Sequence, residues 1–377
     1  MKKLLIVSDT PTHPVSGGNR ACILQNVDLL RNMGFDIYFL YVHNYDAPEA
    51  DIDETRSHWG DRFLFYRVPT AQHLYRRVMA RIYPAACAGI DFLFPWGLNK
   101  YVEKVQRQHN FTALLVNYVW MSRLYRTSIP HKALYTHDVF SNRAERVNIK
   151  NYAWRTFTVA QEAKGIRRFD NVLAIQSNEA IYFRYLSPGS RVRTVYSPVE
   201  FNRQLLMLNH NILFFSGAGD LNISGLDWFV KEVFPIILEK MPQARLVIGG
   251  NICKSLAGRY TNPNIQLVGR VENPADFYKL GDIVINPVFQ GTGLKIKTLE
   301  AISYGKYIVA QPHSVEGMFS GSEQPYDVAH QPIDFAEKII TAITNERILS
   351  HRVNISHDYI QAYNKYIRNI YEEIFPN

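Results

Sequence analysis

From residue 211 onward the chain repeats one pattern: a short apolar run rich in β-branched residues, a glycine turn, a helix-length segment, and another apolar run. NILFFSGAGD is followed by SGLDWFVKEVFPIILEKMP and ARLVIGG, then by NIQLVGRVENPADFYKLGD and DIVINPVFQGTGLKIKTLEAISYGKYIVAQPHSVEGM. Apolar runs this short suit strands buried on both faces, and parallel neighbours need a helical crossover between them. The alternation predicts a doubly wound α/β domain. Sheets of this kind bind ligands beyond the carboxyl ends of their strands. Gly217, Gly219, Gly269, Arg270, Val271 and the Gly291 loop all fall at such ends.

In the last of these stretches, Gly291-Thr292-Gly293 interrupts the strand IVINPV just before the helical LKIKTLEAISYG. Backbone NH groups at a helix start attract anions. Lys295 and Lys297 add positive charge there, although helical spacing sends them in different directions. Glu300 lies one turn deeper, where a carboxylate repels phosphate but can accept hydrogen bonds from paired hydroxyls such as those of a ribose. The group reads as a cradle for a nucleoside diphosphate. The plain alternative is a loop, a solvated lysine face and an ordinary helix glutamate. Ser216-Gly217-Ala218-Gly219-Asp220 is no dinucleotide fingerprint, because position 222 is Asn where a third glycine is required.

The order FFSGAGDLNISGLDWFV, ARLVIGG, NIQLVGRV and NPVFQGTGLKIKTLEAISYGKYIVAQPHSVEGM resembles the donor domain of glycosyltransferase family 4. MKKLLIVSDTPTHPVSGGNRACILQNVDLLRNMGFDIYFLYV resembles the first strand, Gly-Gly loop and helix of the same family, so the likeness covers nearly the whole chain. It implies a GT-B fold, in which two Rossmann-like, doubly wound parallel-sheet domains face a central cleft. It further implies retaining transfer of a sugar from a nucleotide-sugar donor to a glycan or lipid-linked glycan, in the synthesis of a bacterial surface polysaccharide such as O-antigen, capsule or exopolysaccharide. No protein nucleophile is implied: the nucleoside diphosphate departs and the acceptor hydroxyl attacks the same face, unlike a retaining glycosidase with its two close carboxylates. Many members carry two glutamates separated by seven residues, but the first of these positions is Thr292 here. That departure leaves the sugar open.

Carried over residue by residue, the resemblance places His137, Lys295 and Glu300 at the reaction. It places Gly217, Gly219, Arg270, Val271, Gly291, Thr292, Gly293 and Lys297 on the donor, and Gly17, Gly18, Asn19 and Arg20 at the diphosphate or acceptor. The last four open a helix, where glycine lets main chain approach a ligand; a flexible turn with a helix cap is the alternative. His137 follows the strand KALYT, and its ring can donate to a sugar hydroxyl while Asp138 or backbone fixes the tautomer. A purely structural histidine, with Asp138 as a helix cap, stays open. Arg143 and Arg146 read as ordinary surface charge, with an acidic acceptor or phosphate as their alternative partner, and Glu162 with Arg167 as anchors of their own helix.

The resemblance puts a boundary near Ser197-Pro198-Val199, with an acceptor domain at 1–198, a donor domain at 199–356 and a helix at 357–377 crossing back to the first. Apolar residues at 359, 360, 363, 366, 367, 370, 371 and 374 form one face of that helix. Residues 1–200 hold 26 Lys and Arg against 17 Asp and Glu, a net of +9, while the rest of the chain is nearly balanced. The basic half suits an anionic lipid surface or a lipid diphosphate carrier. LYRRVMARIYPAACAGIDFLFPWG gives this a place, with Arg76, Arg77 and Arg81 beside Tyr83, Phe92, Phe94 and Trp96. It reads as peripheral attachment at the inner membrane face or as a helical hairpin on the first sheet with solvated arginines.

No run of about 18 apolar residues is present, and MKKLLIVSDT reads as a first strand rather than a signal peptide. Cys22, Cys87 and Cys253, odd in number and far apart, point to a reducing, cytoplasmic setting without disulfides. No zinc spacing, Asp-x-Asp pair or nucleic-acid signature accompanies the charge, so neither a metal, a cofactor nor a nucleic-acid partner is expected. A nucleotide-sugar epimerase or hydrolase, and a catalytically silent glycan-binding scaffold, are the competing functions.

Overall fold

A computed structural model describes residues 2–15, 18–44, 47–83, 89–146, 155–291 and 295–376. The chain divides into two units, Met1–Pro198 with Tyr366–Asn377, and Val199–Lys365.

The first unit holds seven parallel strands, β1 (Lys2–Ser8), β2 (Phe35–His43), β3 (Phe63–Arg67), β4 (Ala113–Asn117), β5 (His131–Tyr135), β6 (Asn171–Ala174) and β7 (Arg191–Thr194). Their order is β3-β2-β1-β4-β5-β6-β7. The chain winds outward from β1 one way and from β4 the other, so strand order reverses between these two neighbours. The second unit repeats the plan with six: β8 (Asn211–Phe215), β9 (Arg245–Gly249), β10 (Ile265–Gly269), β11 (Ile283–Asn286), β12 (Tyr307–Ala310) and β13 (Tyr326–Val328), ordered β10-β9-β8-β11-β12-β13. Here the reversal lies between β8 and β11.

The apolar runs explain the burial. Leu4 to Val7 on β1 and Ile283 to Ile285 on β11 are all buried, as strands with a neighbour on each edge and cover on each face require. Helices add faces at helical spacing. Helix α1 (Gly18–Asn32) buries Ile23, Val27 and Leu30, and α2 (Glu49–Trp59) buries Ile52, Thr55 and Trp59. The first core joins Val7, Val42, Leu114, Val116 and Leu134 to helical Val102, Ile166 and Phe183. The second joins Ile212, Phe214, Ile248 and Ile285 to Leu226, Phe229, Phe335 and Ile339. Each such side chain contributes roughly 1.5–3 kcal/mol.

The last helix runs unbroken from Glu346 to Ile374, and it changes unit at Lys365/Tyr366 rather than at 356. Its middle turns still belong to the second unit, where the rings of Tyr359 and Tyr363 meet Phe319 edge-on at 5.6 and 5.9 Å. Tyr371 then donates to Asn26 Oδ1 at 2.6 Å within the first.

The segment around α3 (Thr70–Ile82) differs in part from a surface of solvated arginines and exposed aromatics, with Arg77 and Arg81 exposed but Arg76 not. Arg76 turns inward, donating to Phe92 O at 3.1 Å, Leu93 O and Asn44 Oδ1 at 2.9 Å. Phe94 is buried and Phe92 half-buried, while Tyr83 and Trp96 are exposed. No described helix is long and apolar enough to cross a membrane. Cys22 and Cys253 are buried free thiols, and Cys87 lies outside the described residues.

Candidate functional site

In the second unit the loop after β9 packs on the loop after β8, and the segment that follows β8 reaches α4 (Ile296–Ser303), which follows β11 at the strand reversal. Glycine makes this possible. Gly250, at φ +97°, lies so close to the loop after β8 that a Cβ would stand 2.3 Å from Ser216 O. Ser216 N donates to Gly249 O, and Ile252 N to Ser216 O, which clamps the two loops together. Gly217 is left facing open space. Gly219 caps the helix Asp220–Trp228.

The polar end of β11 and the turn after β12 fix α4. Asn286, last on β11, donates through Nδ2 to Thr298 Oγ1 at 2.9 Å. Thr298 Oγ1 donates to Ser314 O and Ser314 Oγ to Val288 O, both at 2.8 Å. The helix is thereby tied to the end of β11 and to the turn Pro312–Val315 beyond β12.

Lys295 sits at the cap of α4 with Nζ 3.0 Å from His313 Nε2, and His313 Nδ1 is 3.0 Å from Glu316 Oε2. An ammonium only donates, so the ring accepts at Nε2, carries its proton at Nδ1 and is neutral. Burial first, and then the Lys295 charge, hold its pKa below the usual histidine value against the pull of Glu316. Gly291, at φ +146°, adopts a conformation that favours glycine. Its Cβ direction points at His313 Nε2, 3.7 Å away.

Lys297 donates to Asn222 Oδ1 and lies 5.9 Å from the centroid of the Phe214 ring. Burial, helped by Lys295, brings its pKa down to about 8. Glu300 accepts from Tyr278 OH at 3.3 Å, and burial pushes its carboxyl up to about 7 against that hydrogen bond. Tyr278 stacks on Tyr304 at 4.6 Å. Lys297 and Glu300 are three residues apart on one helix, yet neither has an opposite charge as its partner among the described residues. Both are half-buried, and charges withdrawn from water are ordinarily paired. Kept apart, the lysine suits an anion and the carboxylate suits hydroxyl donors. Arg270 is exposed beyond β10 with no ion pair among the described residues, and Val271 is half-buried beside it.

In the first unit the site again collects at the strand reversal. Asn117 ends β4, donating through Nδ2 to Val7 O at 3.0 Å, which points its Oδ1 at His137 Nε2, 2.7 Å away. His137 therefore spends its Nε2 proton on Asn117, not on a ligand, and Asn117 rather than Asp138 fixes its tautomer. Nδ1 is then the acceptor nitrogen of the ring, where the sequence suggested donation. Burial takes its pKa down to about 3, and its backbone stands at φ +65°. Tyr118 stacks on it at 4.5 Å and accepts from Thr10 Oγ1 at 3.0 Å and Asn19 Nδ2 at 3.4 Å.

The charges beside it are matched. Asp138 accepts from Val139 N and pairs with Arg143 at 2.9 Å, so Arg143 is not free surface charge. Asp9 pairs with Arg155 at 3.2 Å and accepts from Trp120 Nε1 at 2.9 Å. Arg20 donates to His13 O and Pro14 O and pairs with Asp51 at 2.6 Å, which makes it a loop clamp. Glu162, fully buried, receives the backbone NH groups of Phe140 and Ser141 at 2.8 and 2.9 Å, and Arg167 donates to Leu186 O, so both act as anchors. Gly18 is the first residue of α1. Gly17, Thr292 and Gly293 lie outside the described residues. Among the described residues no three His, Cys, Asp or Glu side chains are placed to hold a metal ion.

Sequence reasoning missed His313, Asn222, Tyr278 and Gly250 in the second unit, and Asp9, Asn117, Tyr118 and Arg155 in the first. One signal was available: ALLVN and IVIN both end a buried apolar strand on asparagine, where polarity has no packing purpose.

Residues 209–345 match the family Glycosyl transferases group 1. A protein of Klebsiella pneumoniae described as an uncharacterized 44.6 kDa protein in the cps region is 22% identical over 385 residues, 92% of each chain. Among solved structures, TarM has a TM-score of 0.69 at 11% identity, covering 100% of this chain and 99% of that one. A TarM structure from S. aureus contains UDP. HepE of Anabaena, in complex with UDP and glucose, has a TM-score of 0.60 at 14% identity and covers 100% of both chains. At such identities these structures bear on the fold, which is GT-B.

Proposed function

We propose that this chain, a glycosyltransferase with a group 1 domain on a GT-B fold, moves a sugar from a nucleoside-diphosphate sugar to a hydroxyl of a glycan or lipid-linked glycan, with retention of configuration. The observation that carries the reading is the separation of charge on α4. Lys297 and Glu300 are half-buried and desolvated, and they have an amide and a phenol as partners. A nucleoside diphosphate completes both: its phosphates take the lysine, and its ribose hydroxyls donate to the carboxylate.

Lys295 and Lys297, with the NH groups at the start of α4, stabilise the charge that grows on the leaving diphosphate, and no metal is needed. The acceptor hydroxyl attacks the face the diphosphate leaves and passes its proton to a phosphate oxygen. His137 takes a hydrogen bond from a sugar hydroxyl through Nδ1. The UDP in the TarM and HepE structures supports a uridine donor, and the cps-region relative supports a capsular acceptor. The protein works in the cytoplasm, peripherally bound at the inner face of the plasma membrane.

Thermal unfolding across a panel of nucleoside diphosphates and nucleotide sugars, with and without magnesium, tests the donor half, because a ligand bound only by the folded state raises Tm. A base-selective rise without magnesium is expected. Consumption of donor in the absence of acceptor would favour an epimerase or hydrolase, and no rise with any nucleotide would favour a silent scaffold.

A further inference from the structure

Helix α3 is amphipathic in the reverse sense. The side chains that face the first unit are polar: Gln72 donates to Phe94 O at 2.8 Å and accepts from Trp96 N at 2.7 Å, and Arg76 holds the carbonyls of Phe92 and Leu93. The outward side is apolar. Leu74, Val78 and Ile82 follow at four-residue spacing and are 61%, 44% and 60% exposed. Tyr75 lies beside them, its ring 5.3 Å from that of the exposed Trp96. A surface helix ordinarily turns such a stripe toward the core and its arginines toward water. Clustered apolar exposure marks a surface that something covers.

The charges around the stripe identify the cover. Arg77 and Arg81 flank it, exposed and without an ion pair among the described residues, and the half of the chain that carries them has the whole positive excess. An apolar stripe with basic flanks and a Trp and a Tyr at its edge matches the boundary between acyl chains and anionic headgroups. A water-soluble protein partner has no general need of that combination.

We infer that the outward face of α3, with Trp96, lies in an anionic bilayer and holds the first unit on the membrane. Leu74, Val78 and Ile82 enter the acyl boundary, Tyr75 and Trp96 sit at headgroup level, and Arg77 and Arg81 meet lipid phosphates. This rests on the proposed function only in assigning the protein to the inner membrane face. The docking itself uses none of the site residues.

Flotation with vesicles of phosphatidylglycerol and phosphatidylethanolamine, against vesicles of phosphatidylcholine alone, tests it. Wild type is expected to float with the first and remain behind with the second, and added salt should weaken binding. The triple variant Leu74→Ser, Val78→Ser, Ile82→Ser should lower the bound fraction about tenfold, and Arg77→Glu with Arg81→Glu should abolish the preference for anionic lipid. A thermal shift with UDP, retained in both variants, shows that they fold and separates the two readings. UDP binding without flotation overturns docking alone, and flotation without any nucleotide response overturns the donor reading alone. Flotation of the triple variant equal to wild type overturns the inference. So does a lipid-free dimer that the triple variant splits, because a second copy then covers the face.

Discussion

At the β1/β4 reversal of the first unit, Asp9 faces Arg155 and Asp138 faces Arg143, and His137 is neutral against an asparagine. At the β8/β11 reversal of the second, Lys297 faces an amide and Glu300 a phenol. The two edges share a topology and differ in whether the protein itself completes its charges. Lys306 supplies a control inside the second unit. It is buried outright where Lys297 is half-buried, and its pKa is likewise down to about 8, but Asp282 lies 3.8 Å away and carries the opposite charge. The lowered pKa is common to the two lysines, and the partner is what differs. The carboxylate beside Lys306 completes its charge within the protein, whereas the half-buried Lys297 faces a neutral amide, which is the feature the proposed donor site uses.

The sharpest break of this contrast is Lys297→Met. With its charge gone, UDP affinity is expected to fall roughly 100-fold, while Tm rises by a few degrees, about what relief of a poorly solvated cation gives. Lys306→Met should do the reverse, lowering Tm because Asp282 is left buried and unpaired, with UDP affinity unchanged. Calorimetric titration beside thermal unfolding reads both. Equal loss of UDP binding in the two variants would remove the distinction.

In the first unit the same test should read as stability. Asp138→Ala strands Arg143 and releases the Val139 NH, and should cost about 3 kcal/mol in urea unfolding. UDP affinity of the protein that remains folded should be unaltered. A variant that loses UDP binding with full stability would show that Asp138 acts on ligand.

Much of this was legible in the sequence because it depends on local pattern. The apolar runs IVIN and ALLVN, the glycines that end strands, and the lysines and glutamate of LKIKTLE all announce themselves within a few residues. What the sequence concealed depends on pairing across the sheet. Whether Lys297 meets Asn222 or a carboxylate is decided by how β8 lies against β11, and 75 residues separate the partners. Likewise His137 looked like a donor because nothing in THDVF reveals that Asn117, on the neighbouring strand, takes its proton. The ion pairs of Arg20 and Arg143 were hidden for the same reason: each has its carboxylate on another element or in a turn whose shape only the fold supplies.

Acidity sharpens the comparison next. If UDP is bound as proposed, it requires Glu300 ionised and Lys297 protonated, so the binding form is most populated between the carboxyl's value near 7 and the ammonium's near 8. Affinity should rise as pH climbs through 7 and fall beyond 8, with a roughly tenfold loss by pH 6. Glu300→Gln should flatten the acid limb. Stability carries the opposite sign on that limb: a carboxyl whose folded pKa is raised favours the native state below its unfolded value and loses that contribution as pH rises through 7. A UDP affinity flat from pH 6 to 8 would mean that Glu300 does not contact the nucleotide.

The smallest effect belongs to His137 and isolates the first unit. Its native pKa near 3 lies below the unfolded value of 6.5, so its contribution is complete above 6.5 and drains as pH falls toward 3, because the unfolded chain takes up the proton first. By pH 5.5 the loss should be about 1 kcal/mol. Asparagine tolerates the φ of +65° at this position, so His137→Asn should unfold with a flatter acid dependence and no new backbone strain. Since the ring is neutral throughout the range in which Glu300 titrates, that substitution should leave the acid limb of UDP binding where it was. A shift of that limb would mean that the two units do not keep their electrostatics separate, and the contrast between a completed edge and an incomplete one would fail at its root.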